Sequence, residues 1–132
     1  MKYLFDSSAI FRAIKENKVE ILTGEGTLEL ARYELGNILW KDHVLQAKIS
    51  EKESEMIMRT IKRTLAVMDV QGITSTEEEI LGIATQLKIT FYDASYVYIA
   101  KAKELRLITE DLRLIKKITQ TAKVSTLEDI KQ

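Results

Sequence analysis

The sequence contains no cysteine, which excludes disulfide bonds, zinc-thiolate sites and cysteine nucleophiles. Its single histidine, His43, excludes any site that needs two imidazoles. No segment approaches the roughly 20 continuous apolar residues of a membrane span, and no secretory signal is found at the N-terminus, so we expect a cytoplasmic protein. The 20 basic and 20 acidic residues cancel to zero net charge. This excludes a strongly basic surface, and any site for a polyanion must be a local patch.

The residues that are present predict one folded unit. The chain has 132 residues, of which 45% are apolar and 30% are charged. That length and composition are typical of a compact domain with an ordinary hydrophobic core. No linker, repeat or low-complexity segment interrupts it, so we predict a single domain over residues 1–132.

Short apolar segments alternate with amphipathic ones along the chain, which is typical of an α/β domain with a parallel sheet. Helix periodicity and capping residues support this interpretation. The strands are predicted at residues 2–5, 19–22, 66–70 and 105–108 and around Val124. The helices are predicted from Ser7 or Ser8 to about Lys15, over 28–47, from a capping box at Ser50 through 65, after 74–76, from Asp93, through 114–118, and as a last turn from Thr126. Gly24 and Gly26 are predicted to form a turn.

Four carboxylates stand at positions where such a fold places functional groups. Asp6 and Asp111 follow predicted strands, and ligands of open parallel sheets bind beyond the carboxyl ends of the strands. Glu34 and Asp93 have apolar and aromatic neighbours in the sequence, where an unpaired charge is costly. Each residue alone also fits a helix cap, a turn or a solvated surface position, and spacing does not show that the four converge.

If the four carboxylates converge, they repel one another unless a cation neutralises them. Oxygen ligands without histidine or cysteine favour Mg²⁺ or Mn²⁺ over zinc. A cluster of this kind supports the hydrolysis of phosphate esters. Three uncharged polar residues near the carboxylates in the sequence are suited to positioning them through hydrogen bonds: Ser7, Asn37 and Thr109.

Four segments of the chain, in order and spacing, resemble the PIN-domain ribonucleases, and most closely the VapC-type toxins of prokaryotic toxin–antitoxin pairs. The segments are Leu4-Phe5-Asp6-Ser7-Ser8-Ala9, Tyr33-Glu34-Leu35-Gly36-Asn37, Tyr92-Asp93-Ala94-Ser95-Tyr96 and Thr109-Glu110-Asp111-Leu112-Arg113-Leu114. The resemblance covers nearly the whole chain. It implies a three-layer PIN-like fold with a five-stranded parallel sheet between helices, and a homodimer that binds an antitoxin protein.

The resemblance also implies a chemistry and a role for each residue. Asp6, Glu34, Asp93 and Asp111 would hold one or two Mg²⁺ or Mn²⁺ ions for endonucleolytic cleavage of RNA, leaving a 5′-phosphate and a 3′-hydroxyl. Among them, Asp6 and Asp93 would be the principal ligands and Asp111 the peripheral one, with Glu110 as an alternative to Asp111. Ser7 and Thr109 would support the cluster, and Asn37 would orient Glu34.

Two other classes of function remain open at this point. In one, Asp6 is a covalent nucleophile of a phosphohydrolase, although the second aspartate expected two residues later is missing. In the other, the chain is an inactive PIN-like module that only binds a partner. Local cations are candidates for gripping RNA or for plain solvated positions: Arg12, Lys15, Arg32, Lys41 and Arg113. Trp40 and the tyrosines at 92, 96 and 98 are predicted either to stack on bases or to lie in the core.

Overall fold

The computed structural model describes residues 1–130 and contains a sheet of five parallel strands. Their order across the sheet is β3-β2-β1-β4-β5. The strands are β1 (Tyr3–Phe5), β2 (Gly26–Leu28), β3 (Asp69–Gln71), β4 (Arg106–Ile108) and β5 (Val124–Ser125). The predicted α/β class and the five-stranded parallel sheet are therefore confirmed.

Within the described residues 1–130, six α-helices connect the strands and cover both faces of the sheet. They are α1 (Ser7–Lys15), α2 (Leu30–Trp40), α3 (Glu51–Ala66), α4 (Glu77–Leu87), α5 (Phe91–Ala102) and α6 (Leu112–Ile118). None of the helices found between residues 1 and 130 is long and apolar enough to cross a membrane.

Two hydrophobic clusters lie on opposite faces of the sheet because successive strand residues point to opposite sides. On β1, Phe5 joins a cluster with residues of α1, α2 and α3, whereas Leu4 joins a second cluster with residues of α5 and α6. On β4, Ile108 and Leu107 divide between the same two clusters. The result is the predicted three-layer arrangement of helices, sheet and helices.

The strand order places the carboxyl ends of β1 and β4 side by side at the centre of the sheet. The chain runs outward from β1 through β2 to β3 and then crosses to β4 on the other side of β1. Phe5 pairs with Ile108, and the next backbone N–H, that of Asp6, donates to the Ile108 carbonyl at 3.0 Å. This is the topological switch point, where ligands of open parallel sheets bind.

The first helix begins where it was predicted, but its cap differs. Asp6, rather than Ser7 or Ser8, is the N-cap residue, and its carboxylate accepts the backbone N–H of Ala9 at 3.0 Å. Aspartate is among the strongest N-cap residues because its carboxylate satisfies a free amide at the positive end of the helix dipole. Asp6 is thereby held in place by the helix that follows it.

The strand predicted at 19–22 is wrong: Val19–Leu22 forms a 3-10 turn, and the second strand is β2. Hydrophobic pattern misled here because Leu22 is fully buried without belonging to the sheet. The true strand contains Gly26, whose added Cβ would lie 3.1 Å from Leu4 Cδ1, so the close approach of β1 selects glycine. Only Gly24, with φ of 78°, belongs to the predicted turn.

Other element boundaries shift for similar reasons. The helix predicted over 28–47 is α2, which ends at Trp40 and continues as a π-helical turn over Lys41–Leu45. The capping box at Ser50 is confirmed, but α3 continues to Ala66, so the third strand begins later than predicted. The N-cap of α5 is Thr90, whose hydroxyl accepts the N–H of Asp93 at 3.0 Å.

Candidate functional site

The fold brings the four predicted carboxylates to one region at the carboxyl edge of the sheet. Asp6 follows β1, and Asp111 is the N-cap of α6, just after β4. Glu34 lies on α2 and Asp93 in the first turn of α5. Neighbouring carboxylates repel each other in three pairs. Glu34 raises the pKa of Asp6, Asp93 raises that of Glu34, and Asp111 raises that of Asp93. Residues that are far apart in the sequence are thus electrostatic neighbours.

Asp6 is the most buried of the four, with 7% of its surface exposed. Burial raises its pKa from 3.8 to about 6, although hydrogen bonds from Ser8, Thr109 and the Ala9 amide oppose the shift. The Ser8 hydroxyl donates to Asp6 Oδ1 at 2.6 Å. A buried carboxylate with this pKa is disfavoured as an anion unless a cation lies beside it.

Glu34 is half-buried and accepts a hydrogen bond from a residue of the neighbouring helix α5. Tyr96, which is 2% exposed, donates its hydroxyl to Glu34 Oε1 at 2.8 Å. Burial raises the pKa of Glu34, while the hydroxyls of Tyr96 and Ser7 act in the opposite direction. Asn37, which was expected to orient Glu34, is exposed, and its side chain makes no hydrogen bond within residues 1–130.

Asp93 is also half-buried, and burial is the main reason that its pKa is raised. Asp111 raises this pKa further, whereas Thr90 and the Lys117 ammonium lower it. The Lys117 ammonium donates a hydrogen bond to the Lys88 carbonyl at 3.1 Å. It therefore acts on Asp93 from a distance.

The loop after β4 is fixed by a set of hydroxyl and carboxylate contacts. Thr109 is fully buried, and its Oγ1 accepts the Asp111 N–H at 3.1 Å. Asp111 Oδ1 caps α6 by accepting the amides of Arg113 and Leu114. One oxygen of Asp111 is thus engaged by α6, just as one oxygen of Asp6 is engaged by Ser8 and the Ala9 amide of α1.

Glu110, the alternative to Asp111, has a different position. Its carboxylate pairs with Arg12 of α1 and accepts the Leu127 N–H at 2.7 Å. Its own N–H donates to Ser8 Oγ at 2.9 Å. Glu110 therefore ties α1 to the C-terminal turn Leu127–Asp129, and its carboxylate oxygens already have partners.

Within residues 1–130 the four carboxylates form no salt bridge, and Lys117 acts on Asp93 only from a distance. None of the salt bridges formed within residues 1–130 includes any of the four carboxylates: the acidic members of those salt bridges are Glu16, Glu29 and Glu110. In the conformation that the structure describes for these residues, no three acidic or histidine side chains are close enough together to hold a metal ion. Mg²⁺ in proteins is often held by one or two carboxylates and retained waters. The neighbouring carboxylate pairs, which offer only oxygen ligands and form none of these salt bridges, fit such an ion.

Two site residues were missed in the sequence, Ser8 and Tyr96. Ser8 Oγ contacts Asp6 and the Glu110 amide and lies 3.4 Å from Thr109 Oγ1, so it joins the ends of β1 and β4. Tyr96 was predicted either to lie in the core or to stack on bases, and it lies in the core. A buried tyrosine needs a hydrogen-bond partner. Tyr96 stands three residues after Asp93, so this requirement could have indicated that its hydroxyl bonds to a residue of the site.

Three of the basic residues expected to bind RNA already contact other side chains of the protein. Arg12 pairs with Glu16 and Glu110, and Arg32 donates to Glu29 at 2.9 Å. The carboxylate partners of each arginine partly neutralise its charge. Lys15 contacts the ring of Phe11, with the ammonium 5.4 Å from its centre.

Replacing Tyr96 with phenylalanine is expected to weaken Mn²⁺ binding about 10- to 100-fold, because partners that orient a metal ligand contribute on that scale. The phenyl ring keeps the core filled, so the fold should remain. Isothermal titration of the metal-free protein with Mn²⁺ measures the change.

The matched control is Tyr98→Phe, which removes a hydroxyl from a half-buried tyrosine on the same helix, one without a hydrogen bond to Glu34. We expect its Mn²⁺ affinity to equal that of the unchanged protein. Equal affinity in Tyr96→Phe, or equal losses in both variants, would refute a specific role for the Tyr96 hydroxyl.

Comparison with known proteins gives two relatives from Pyrobaculum aerophilum. The chain is 33% identical to Exonuclease VapC9 over 129 residues, which cover 96% of this chain and 93% of that protein. It is 30% identical to Ribonuclease VapC3 over 91 residues, or 69% of each chain. A scan against models of protein families found no match.

Solved structures show the same fold. A P. aerophilum protein, PAE2754, superposes with a TM-score of 0.80 at 29% identity, covering 97% of this chain and 90% of that one. VapBC2 from Rickettsia felis, solved bound to a DNA fragment from its promoter, superposes with a TM-score of 0.65 at 18% identity, covering 96% and 98%. The second likeness concerns the fold alone.

Proposed function

Because the chain belongs to the VapC family of PIN-domain toxins, we propose that it is a metal-dependent endoribonuclease, the toxin of a toxin–antitoxin pair. The observation that carries this proposal is the set of four neighbouring carboxylates at the switch point of the sheet, none of which is in a salt bridge within residues 1–130. The names of the two relatives support a nuclease. We retain the interpretation of one PIN-like domain over residues 1–132.

In this proposal Asp6 and Asp93 are the principal ligands of Mg²⁺ or Mn²⁺, and Glu34 and Asp111 complete the site. A bound ion of this kind lowers the pKa of an attacking water and neutralises the phosphate. Ser7, Thr109 and Asn37 are proposed to support the cluster. Ser7 lowers the pKa of Glu34 and Thr109 lowers that of Asp6, which favours those two over Asn37.

The chain's own residues provide positioning that is present before a substrate arrives. Ser8 and the Ala9 amide hold one oxygen of Asp6, and Tyr96 holds one oxygen of Glu34. Groups fixed in this way need little reorganisation during the reaction, which is the main source of electrostatic catalysis. The partial burial of Glu34 and Asp93 lowers the local dielectric and strengthens their attraction for a cation.

The test is cleavage of a circular single-stranded RNA by the purified protein, with Mn²⁺ and with EDTA. A circle has no ends, so an endonuclease linearises it whereas an exonuclease leaves it intact. We expect linear RNA with Mn²⁺ and none with EDTA. A linear RNA and a single-stranded DNA of the same sequence, run in parallel, identify an exonuclease or a deoxyribonuclease.

Other outcomes redirect the proposal. Cleavage of only the linear RNA would make the protein an exonuclease, as the name of one relative states for that relative. Failure to cleave any substrate, together with failure to bind Mn²⁺ in isothermal titration, would favour the inactive partner-binding module. Cleavage that persists in EDTA would contradict the metal-dependent mechanism.

An antitoxin and a second copy of the chain are the proposed protein partners, and the proposed location is the cytoplasm, where RNA is available.

An apolar groove between α2 and α3 is a candidate surface for contact with one of these partners. Trp40 and Val44 are 50% and 55% exposed there, and Met58 lines the same groove. Exposed apolar surface of this kind is typical of protein–protein contacts. Size-exclusion chromatography with light scattering measures the oligomeric state.

A further inference from the structure

A small cavity lies at the carboxyl ends of β2 and β3, beside the carboxylate site. Its volume is about 160 Å³. This is below the range of about 300–1,000 Å³ for drug-sized ligands and suits one small ring system. It is lined by the ends of the two strands and the first turns of α2 and α5. The lining includes Leu28, Leu30, Gln71, Ile73, Phe91 and Tyr92.

The cavity is one helical turn away from the contact that orders Glu34. Glu34 and Tyr96 join α2 to α5 through their hydrogen bond. Four residues earlier on the same two helices, Leu30 and Tyr92 line the cavity. Residues four apart on a helix are neighbours on one face, about 5–6 Å from each other. A base bound in the cavity would therefore lie about one helical turn from Glu34.

The chemistry of the cavity suits a flat neutral ring. Its lining is mainly apolar, and the one acidic residue at its rim, Glu29, is paired with Arg32 through two hydrogen bonds. Tyr92 is 60% exposed, so its ring is available to a ligand. Gln71 offers an amide that makes no side-chain hydrogen bond within residues 1–130. Stacking on an aromatic ring and an amide contact to the base edge are the usual means of recognising an unpaired base.

We propose that this cavity is a nucleobase subsite, in which Tyr92 stacks on one unpaired base of the RNA next to the bond that is cut. The subsite rests on the proposed nuclease function and adds one base contact to it, at Tyr92. A paired base is not available for stacking in such a cavity, so the subsite selects single-stranded or looped RNA over duplex RNA.

The experiment compares the unchanged protein, Tyr92→Ala and Leu81→Ala on a short RNA whose cleaved bond has been mapped. Leu81 lies on α4 and is 59% exposed, which matches Tyr92 in exposure. We expect Tyr92→Ala to raise KM about tenfold, since stacking on one aromatic ring contributes roughly 1–3 kcal/mol and a tenfold change corresponds to 1.4 kcal/mol. Leu81→Ala should leave KM unchanged.

Two further substrates carry an abasic nucleotide on one or the other side of the cleaved bond. One of them should raise KM for the unchanged protein by a similar factor, and Tyr92→Ala should add no further loss on it, because both changes remove the same contact. The subsite is refuted if Tyr92→Ala leaves KM unchanged on the intact RNA, or if the two losses multiply.

A binding measurement separates failure of the subsite from failure of the nuclease. The same RNA with 2-aminopurine at the identified position, or at each position in turn if nothing is cleaved, should be quenched by the unchanged protein and not by Tyr92→Ala. Quenching without cleavage would keep the subsite and refute the nuclease. Absent quenching, with antitoxin binding weakened by Tyr92→Ala, would assign the cavity to the antitoxin and overturn the proposal.

Discussion

Asp6→Asn and Asp93→Asn are expected to lose RNA cleavage by about 10²- to 10³-fold while they retain the fold. The amide keeps the size of each side chain and, at Asp6, the ability to cap α1, because asparagine is as good an N-cap residue as aspartate. What each variant loses is one negative charge at the proposed metal site. Removal of one preorganised electrostatic group typically costs this much in rate. Initial rates on linear RNA with saturating Mn²⁺ measure the effect.

The control is Asp69→Asn, which makes the same change at an exposed aspartate at the start of β3, the opposite edge of the sheet. Its rate should equal that of the unchanged protein. Circular dichroism and the melting temperature check that all three variants fold. Full activity in folded Asp6→Asn and Asp93→Asn would exclude the carboxylate site as the origin of cleavage.

Without metal, the protein is expected to lose stability as the pH rises from about 4 to about 6, and Asp6→Asn is expected to abolish much of that loss. Burial raises the pKa of Asp6 from 3.8 to about 6 in the folded protein. As the pH rises, Asp6 therefore ionises first in the unfolded chain, and this ionisation lowers the free energy of the unfolded state relative to the folded one. The difference reaches about 3 kcal/mol above the folded pKa, at 1.36 kcal/mol for each pKa unit. Burial shifts the pKa of Glu34 and Asp93 in the same direction.

Urea unfolding in EDTA across this pH range, for the unchanged protein and Asp6→Asn, isolates the contribution of Asp6. The variant should be the more stable of the two at pH 7 and equal to the unchanged protein near pH 4. Mn²⁺ should raise the stability of the unchanged protein above pH 6 and act less on the variant, because ligands stabilise the state that binds them. Parallel pH profiles of the two proteins in EDTA would show that Asp6 ionises normally in the folded state.

Local sequence was sufficient where one segment determines its own structure. The run ending at Phe5 and the capping box at Ser50 were located correctly, because hydrophobic pattern and helix capping act within a few residues. Local sequence was insufficient at β2, which contains Gly26 in place of the usual β-branched residues, at a position where the Leu4 side chain of β1 leaves little room. A contact between segments more than 20 residues apart leaves no local pattern.

The sequence by itself determined the α/β class and the places of four of the five strands. It also determined the chemistry available, since carboxylates without cysteine or a second histidine favour a hard cation. Only the tertiary structure decided that Glu34 and Asp93 become neighbours, that Tyr96 donates to Glu34, and that Glu110 is engaged by Arg12. The reason is physical: a carboxylate's pKa and its partners depend on burial and on charges within a few ångströms. Those are set by how the helices pack across the sheet.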